Sequence, residues 1–143
     1  MEAEARTRDD ISMLWQAPDN PVAVLILAHG AGAGMEHKSM ILIANGLAKR
    51  NIATLRFNFP YMERESKRPD PPPVAHAAVR AAVAEANDLS LGLPVFAGGK
   101  SFGGRMTSQA QSIDPLPRVR GLVFFGFPLH PAGKPGIDRA DHL

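Results

Sequence analysis

Cysteine is absent from the 143 residues, which removes disulfide stapling, a thiolate nucleophile and cysteine-ligated metal. The absence agrees with a reducing compartment. No apolar run approaches the ~20 residues that a membrane-spanning helix needs, and the opening Met1-Glu-Ala-Glu-Ala-Arg6 is too charged for a secretory signal. The expectation is a cytoplasmic protein with no membrane partner. An excess of charge of one sign is missing too: sixteen Lys and Arg against fourteen Asp and Glu leave +2. These cations are scattered rather than striped along one element, so no nucleic-acid footprint is expected. Nor does any histidine-carboxylate cluster have metal-ligand spacing, and neither metal nor other cofactor is expected. What remains is 45% hydrophobic without a low-complexity block, enough for one core and a single domain over 1–143.

Chemistry is concentrated in one stretch. Leu93-Pro-Val-Phe-Ala97 is an apolar strand that runs into Gly99-Lys100-Ser101-Phe102-Gly103 and then into a helical pattern. This is G-x-S-x-G in strand-turn-helix context, the requirement for a nucleophile elbow. The serine needs a strained turn, and the flanking glycines remove Cβ atoms where strand and helix cross closely. Gly98 and Gly104 extend the cleared space. A P-loop reading of Gly99-Lys100-Ser101 fails, because its first glycine falls on Pro94.

The second glycine cluster is His29-Gly-Ala-Gly-Ala-Gly34. A dinucleotide fingerprint begun at Gly30 would need glycine or alanine where Met35 stands, and no acidic residue ends the next strand to hold a ribose. The loop instead reads as one that carries a backbone N–H toward the serine to bind an oxyanion. His29 reads as a hydrogen-bonded, loop-orienting residue rather than a base, since the base of an elbow enzyme follows the serine in the chain.

Around these motifs, periodicity predicts strands at 11–16, 22–28, 52–59, 93–100 and 119–127, and helices at 36–50, 74–89 and 102–113. Gly103, Met106, Ala110 and Ile113 are expected to face the sheet. Residues 61–73 read as a charged, proline-rich, solvated connection, and His76 as a surface histidine. Residues 128–143 read as loop with at most a short helix. The alternation predicts an α/β fold, a mostly parallel doubly wound sheet with right-handed crossovers. The strand at Leu122-Val-Phe-Phe125 is apolar on both faces and makes a poor edge, so further chain is expected beyond Leu143.

Four segments in register carry a family likeness: His29-Gly-Ala-Gly-Ala-Gly34, Leu55-Arg-Phe-Asn-Phe-Pro-Tyr-Met62, Gly98-Gly-Lys-Ser-Phe-Gly-Gly-Arg105 and Gly126-Phe-Pro-Leu-His-Pro131. From Val22 onward the chain resembles the α/β-hydrolase superfamily, most closely its small dienelactone-hydrolase-like branch. The resemblance implies that Ser101 is the nucleophile and that the N–H groups of Ala31 and Phe102 are the oxyanion donors. It also implies that the acid and histidine of the triad lie on later strands, so the sheet is of the α/β-hydrolase type lacking its last strands. The implied reaction is attack on a small-molecule ester or similar acyl bond, weak or absent in this chain. His130 and His142, the latter near Asp138 and Asp141, are poor substitutes for the base. Lys100, Arg105 and Arg56 read as satisfying local structure rather than binding substrate. The alternative reading is a non-catalytic hydrolase-fold module that pairs through its last strand, as a homo-oligomer or with another chain.

Overall fold

The sheet begins where apolar periodicity is silent. In the computed structural model, which describes residues 2–126, 133 and 136–143, the charged segment Glu4–Arg8 (β1) pairs antiparallel with Ile11–Gln16 (β2), with Arg8 opposite Ile11. Asp9 and Asp10 turn the chain with φ of +51° and +63°. Two left-handed central residues match the twist of a hairpin, and Asp tolerates them. The sequence carries no apolar signal for β1, and this strand was not among those expected.

Four further strands, Ala23–Ala28 (β3), Ile52–Phe57 (β4), Val95–Lys100 (β5) and Val119–Phe125 (β6), complete a six-stranded sheet ordered β1-β2-β4-β3-β5-β6. Only β1–β2 and β2–β4 are antiparallel; β4–β3, β3–β5 and β5–β6 are parallel. The expected mostly parallel α/β sheet is thus the observed one. Successive side chains of β3 divide between two cores, as the period of a strand requires. Val24, Ile26 and Ala28 join the larger cluster, and Leu25 and Leu27 the smaller.

Lys38–Ala48 (α1) covers the smaller cluster with Met40, Ile43 and Leu47. Pro72–Ser90 (α3) and Phe102–Ile113 (α4) cover the larger one. On α3 the apolar spacing of Ala75, Val79, Ala82, Val83, Ala86 and Leu89 makes one stripe, buried at the first five positions and half-buried at Leu89. On α4, Gly103, Met106 and Ala110 are buried, but Ile113 is 71% exposed. Steps of three and four residues drift around a helix, and at its last residue Ile113 has rotated off the core face while Leu116, past the helix end, is buried.

The connection at 61–73 is not simply solvated. Pro60–Glu63 forms a short helix (α2), Pro60 sitting at its first position where a missing N–H costs nothing. Tyr61 and Asp70 are buried. The observed strands β4 and β6 end at Phe57 and Phe125 rather than at 59 and 127, and residue 127 lies outside the described residues. Of 128–143, Asp138–Ala140 forms one turn of 3-10 helix.

Candidate active site

Parallel strands β3, β5 and β6 end at the same side of the sheet, where open α/β sheets bind ligands. Ser101 follows the last residue of β5 and precedes the first of α4, with φ +54° and ψ −115°. A non-glycine residue in that region stores on the order of 1–3 kcal/mol of strain. The surrounding main chain holds it there. A Cβ on Gly103 would stand 2.6 Å from the Ala28 carbonyl oxygen, and one on Gly99 would meet Ala28 as closely. The Ser101 N–H donates to Gly126 O at 2.9 Å, and the Ser101 carbonyl accepts from Arg105 N–H at 3.0 Å. Gly126 itself sits at φ +84°, just past β6. Ser101 is half-buried, and its hydroxyl has no hydrogen-bond partner among the described residues. Phe102 opens α4, so its N–H has no intrahelical acceptor and lies at the positive end of the helix.

Ala31 faces the same spot from the other side. It lines a cleft of about 330 Å³ with Ser101, Phe102, Arg105, Asp70 and Arg139. It also lines a second cleft with Ser101, Lys100, His37 and Ser39. The two clefts meet at Ser101. A wider cleft of about 430 Å³ lies at the opposite ends of β5 and β6, beside Leu93, Val95 and Arg118, and is remote from the serine.

The peptide that carries the Ala31 N–H is fixed by His29. This histidine is fully buried. Its Nε2 lies 3.0 Å from Phe59 N–H and must accept; the proton therefore sits on Nδ1, which donates to Gly30 O at 2.7 Å. Because the peptide is planar and trans, fixing the Gly30 carbonyl fixes the Ala31 N–H on its far side. The Tyr61 hydroxyl donates to Ala31 O at 2.8 Å. Asp70 in turn accepts from Tyr61 N–H at 2.9 Å and from Arg64 at 3.1 Å. At the loop's far end Arg56 donates to Met35 O at 2.8 Å, and Asn58 Oδ1 accepts from Met35 N–H at 2.9 Å. The rings of His29, Phe59, Tyr61 and Phe102 meet at centroid distances of 5.0 to 6.0 Å, which joins the loop to the elbow.

Electrostatics follow from this burial. Desolvation holds His29 below the usual histidine value, opposed by its bond to Gly30 and by Asp70. Burial, then the Asp70 charge, pushes Tyr61 up to about 12. With both nitrogens engaged and the ring neutral, His29 acts as an orienting residue and has no free site to take a proton from Ser101. His142 Nε2 lies 2.6 Å from Ser108 Oγ on α4 and is engaged there rather than at Ser101. His130 lies outside the described residues. His76, expected at the surface, is half-buried with Nε2 2.9 Å from Gln109 Oε1. Among the described residues no group of three or more His, Asp or Glu side chains is placed to hold a metal ion, and no helix is long and apolar enough to cross a membrane.

Sequence reasoning named Ser101, Ala31, Phe102 and the orienting role of His29. It missed Tyr61 and Asp70. Pro60 at a strand end signals a helix start, but nothing local to the sequence announces that a carboxylate nine residues on will cap the Tyr61 amide.

The sequence profile of the alpha/beta hydrolase domain family matches residues 21–143. No curated protein matches. Among solved structures, the chain superposes on Est1E from Butyrivibrio proteoclasticus with a TM-score of 0.68 at 17% identity, covering 85% of this chain and 49% of that one. It superposes on a dienelactone hydrolase from Anabaena variabilis with 0.73 at 19%, covering 87% and 62%. On an alpha-beta serine hydrolase homologue from Coxiella burnetii the values are 0.75 at 18%, covering 99% and 67%. The chain thus spans about half to two thirds of the length of these neighbours.

Proposed function

The chain belongs to the alpha/beta hydrolase domain family, and on that footing we propose that it carries the nucleophilic half of a serine hydrolase acting on a small ester or similar acyl bond. Ser101 Oγ attacks the carbonyl carbon. The N–H groups of Ala31 and Phe102 receive the negative charge that develops on the carbonyl oxygen; the ester C–O bond then breaks, the alcohol leaves with the proton that the base took from the serine, and the acyl-enzyme that remains is hydrolysed by water. The observation that carries this reading is Ser101 itself, held at φ +54° between strand and helix at the junction of two clefts. We assign the general base and its orienting carboxylate to chain outside the described residues, because His29 and His142 are both committed elsewhere and His37, which shares the second cleft with Ser101, accepts the Ser39 N–H at Nδ1 and so keeps its proton on Nε2.

A fluorophosphonate probe tests the nucleophile directly. One adduct on Ser101, absent from Ser101→Ala, is the expected result; labelling that survives the substitution overturns it. Without a base, rate enhancement on p-nitrophenyl acetate is expected to stay on the order of 10³-fold over water. Turnover at an ordinary enzymic rate by this polypeptide, lost in Ser101→Ala, refutes the assignment of the base elsewhere.

One observation favours a second reading. Among the described residues β6 pairs on one side only, and its residues from Gly121 to Phe125 are all half-buried. A sheet edge of this composition invites strand addition. Sedimentation equilibrium separates the readings: a monomer across the micromolar range removes pairing through β6.

A further inference from the structure

Four cations that look scattered along the sequence are gathered by the fold at the end of the sheet opposite Ser101. Arg8, Arg80 and Arg118 line one cleft there, beside Asn87 and Pro117. Arg118 also lines the adjoining cleft of about 430 Å³ at the start of β5 and β6, together with Arg120 and an apolar wall of Leu93, Val95 and Val119. The four guanidiniums differ in what answers them. Arg8 is paired with Asp88 at 2.8 Å, and Arg80 donates to the Ala110 and Asp114 carbonyls at 2.8 and 2.7 Å. Arg118 and Arg120 are exposed, and neither makes a hydrogen bond or ion pair among the described residues. Cations are favoured near the negative end of a helix, and α3 ends beside this cleft at Ser90. Yet neither guanidinium donates to a carbonyl of α3 among the described residues. Arg118 also stands where an arginine is costly. Residues 116–119 form a turn closed by Val119 N–H to Leu116 O at 3.2 Å, with Pro117 at its first corner and Arg118 at its second, φ +62°. This is the type II pattern, whose second corner favours glycine or asparagine. An arginine at that corner instead turns a free guanidinium toward both clefts.

We propose that the cleft at the start of β5 and β6 binds the phosphate group of a small organic phosphate, Arg118 and Arg120 sharing its oxygens while Leu93 and Val119 cover its carbon part. A phosphate fits better than a carboxylate because its three free oxygens serve two separate guanidiniums at once, whereas a single guanidinium takes both oxygens of a carboxylate. The cleft, at about 430 Å³, has room for more than the anion alone. This site lies apart from Ser101, so it stands whether or not the serine is a nucleophile.

The test titrates the whole isotope-labelled chain with phenyl phosphate, at ionic strength held constant with sodium chloride so that screening is the same at every point. The amide resonances of Gly92, Val119 and Arg120 are expected to shift saturably in the millimolar range. Inorganic phosphate is expected to move the same amides with weaker affinity, because it lacks the ring that the apolar wall covers. Arg118→Asn is expected to bind phenyl phosphate about tenfold more weakly. Its urea midpoint is expected to be unchanged or raised, since asparagine tolerates the left-handed corner, and the loss is then not one of folding. Arg120→Met leaves the turn alone and is expected to weaken binding to a similar degree. Arg68→Met, near the Pro69 and Asp70 wall of the Ser101 cleft, removes an equal charge and is expected to leave the affinity as it was. Equal weakening in Arg68→Met reduces the effect to net charge and overturns the proposal. Unchanged affinity in Arg118→Asn overturns it too, as do wild-type amides that do not move. Inorganic phosphate binding as tightly as phenyl phosphate removes the organic part of the ligand and overturns the proposal as stated.

Discussion

The elbow at 99–104 and the loop at 29–34 meet at Ser101, both rich in glycine, and are held in opposite ways. In the elbow the missing side chains do the shaping: Gly99 and Gly103 let β5 and α4 press against Ala28, and the main chain fits with no room for a Cβ. The loop is shaped from outside. Gly32 has open space around it, Gly34 alone being crowded, by the Met62 and Asn58 side chains, and the loop's course is set by His29, Tyr61, Arg56 and Asn58, which grip its carbonyl and amide groups and those of the adjoining Met35. The elbow therefore fails when atoms are added against the main chain, and the loop, Gly34 apart, when side-chain atoms are removed around it.

That contrast orders the tests. Gly103→Val drives two methyl groups into the Ala28 and His29 main chain, and is expected to cost at least about 3 kcal/mol in urea unfolding. A loss under about 1 kcal/mol would mean that the elbow relaxes freely and the comparison collapses. His29→Leu keeps bulk but strips both hydrogen bonds, leaving Phe59 N–H and Gly30 O unpaired, with an expected loss of about 2 to 3 kcal/mol. It also has a pH signature. Because burial depresses His29 in the fold, the unfolded chain binds the proton more tightly; the contribution is full above about pH 6.5 and is lost as pH falls toward the depressed value. The difference in stability between wild type and His29→Leu should shrink across that window, and a constant difference refutes the neutral, buried ring.

Tyr61→Phe removes a single hydroxyl from the grip on Ala31 and is expected to cost about 1 kcal/mol. The chain has one tyrosine, so phenolate absorbance reads this residue alone. Its midpoint should lie near 12 in the folded protein. The folded value stands above the ordinary one of about 10, so its contribution is intact below pH 10 and is lost as pH rises toward 12. A midpoint near 10 in protein shown by circular dichroism to remain folded would place the hydroxyl in water and release the Ala31 arm.

The same contrast explains what could be read from the residues. The elbow was legible because its cause is local: G-x-S-x-G, an apolar strand before it and a helix after it all lie within twenty residues. The parallel core was legible for a similar reason, since β3 and the α3 stripe carry their periods in their own composition. The grip on the loop was legible only at His29, whose place in the motif points to it. Tyr61 reaches Ala31 across thirty residues and is itself capped by Asp70, a pairing that no spacing encodes. Strand β1 escaped because its strand character comes from the Asp9-Asp10 turn and from Arg6 and Arg8 pairing with Glu85 and Asp88 on α3, not from apolar alternation. Ile113 went the other way: its period placed it in the core and the helix ran out.

The hydrogen bond from the Ser101 amide to the Gly126 carbonyl ties the turn that carries the Ser101 hydroxyl to the end of β6. A shift at Gly126 arrives at Ser101 through a single main-chain link, with no side chain in between. A bulky residue unable to hold the left-handed twist at Gly126 would therefore loosen the Ser101 turn while leaving the side chains that line the two clefts in place.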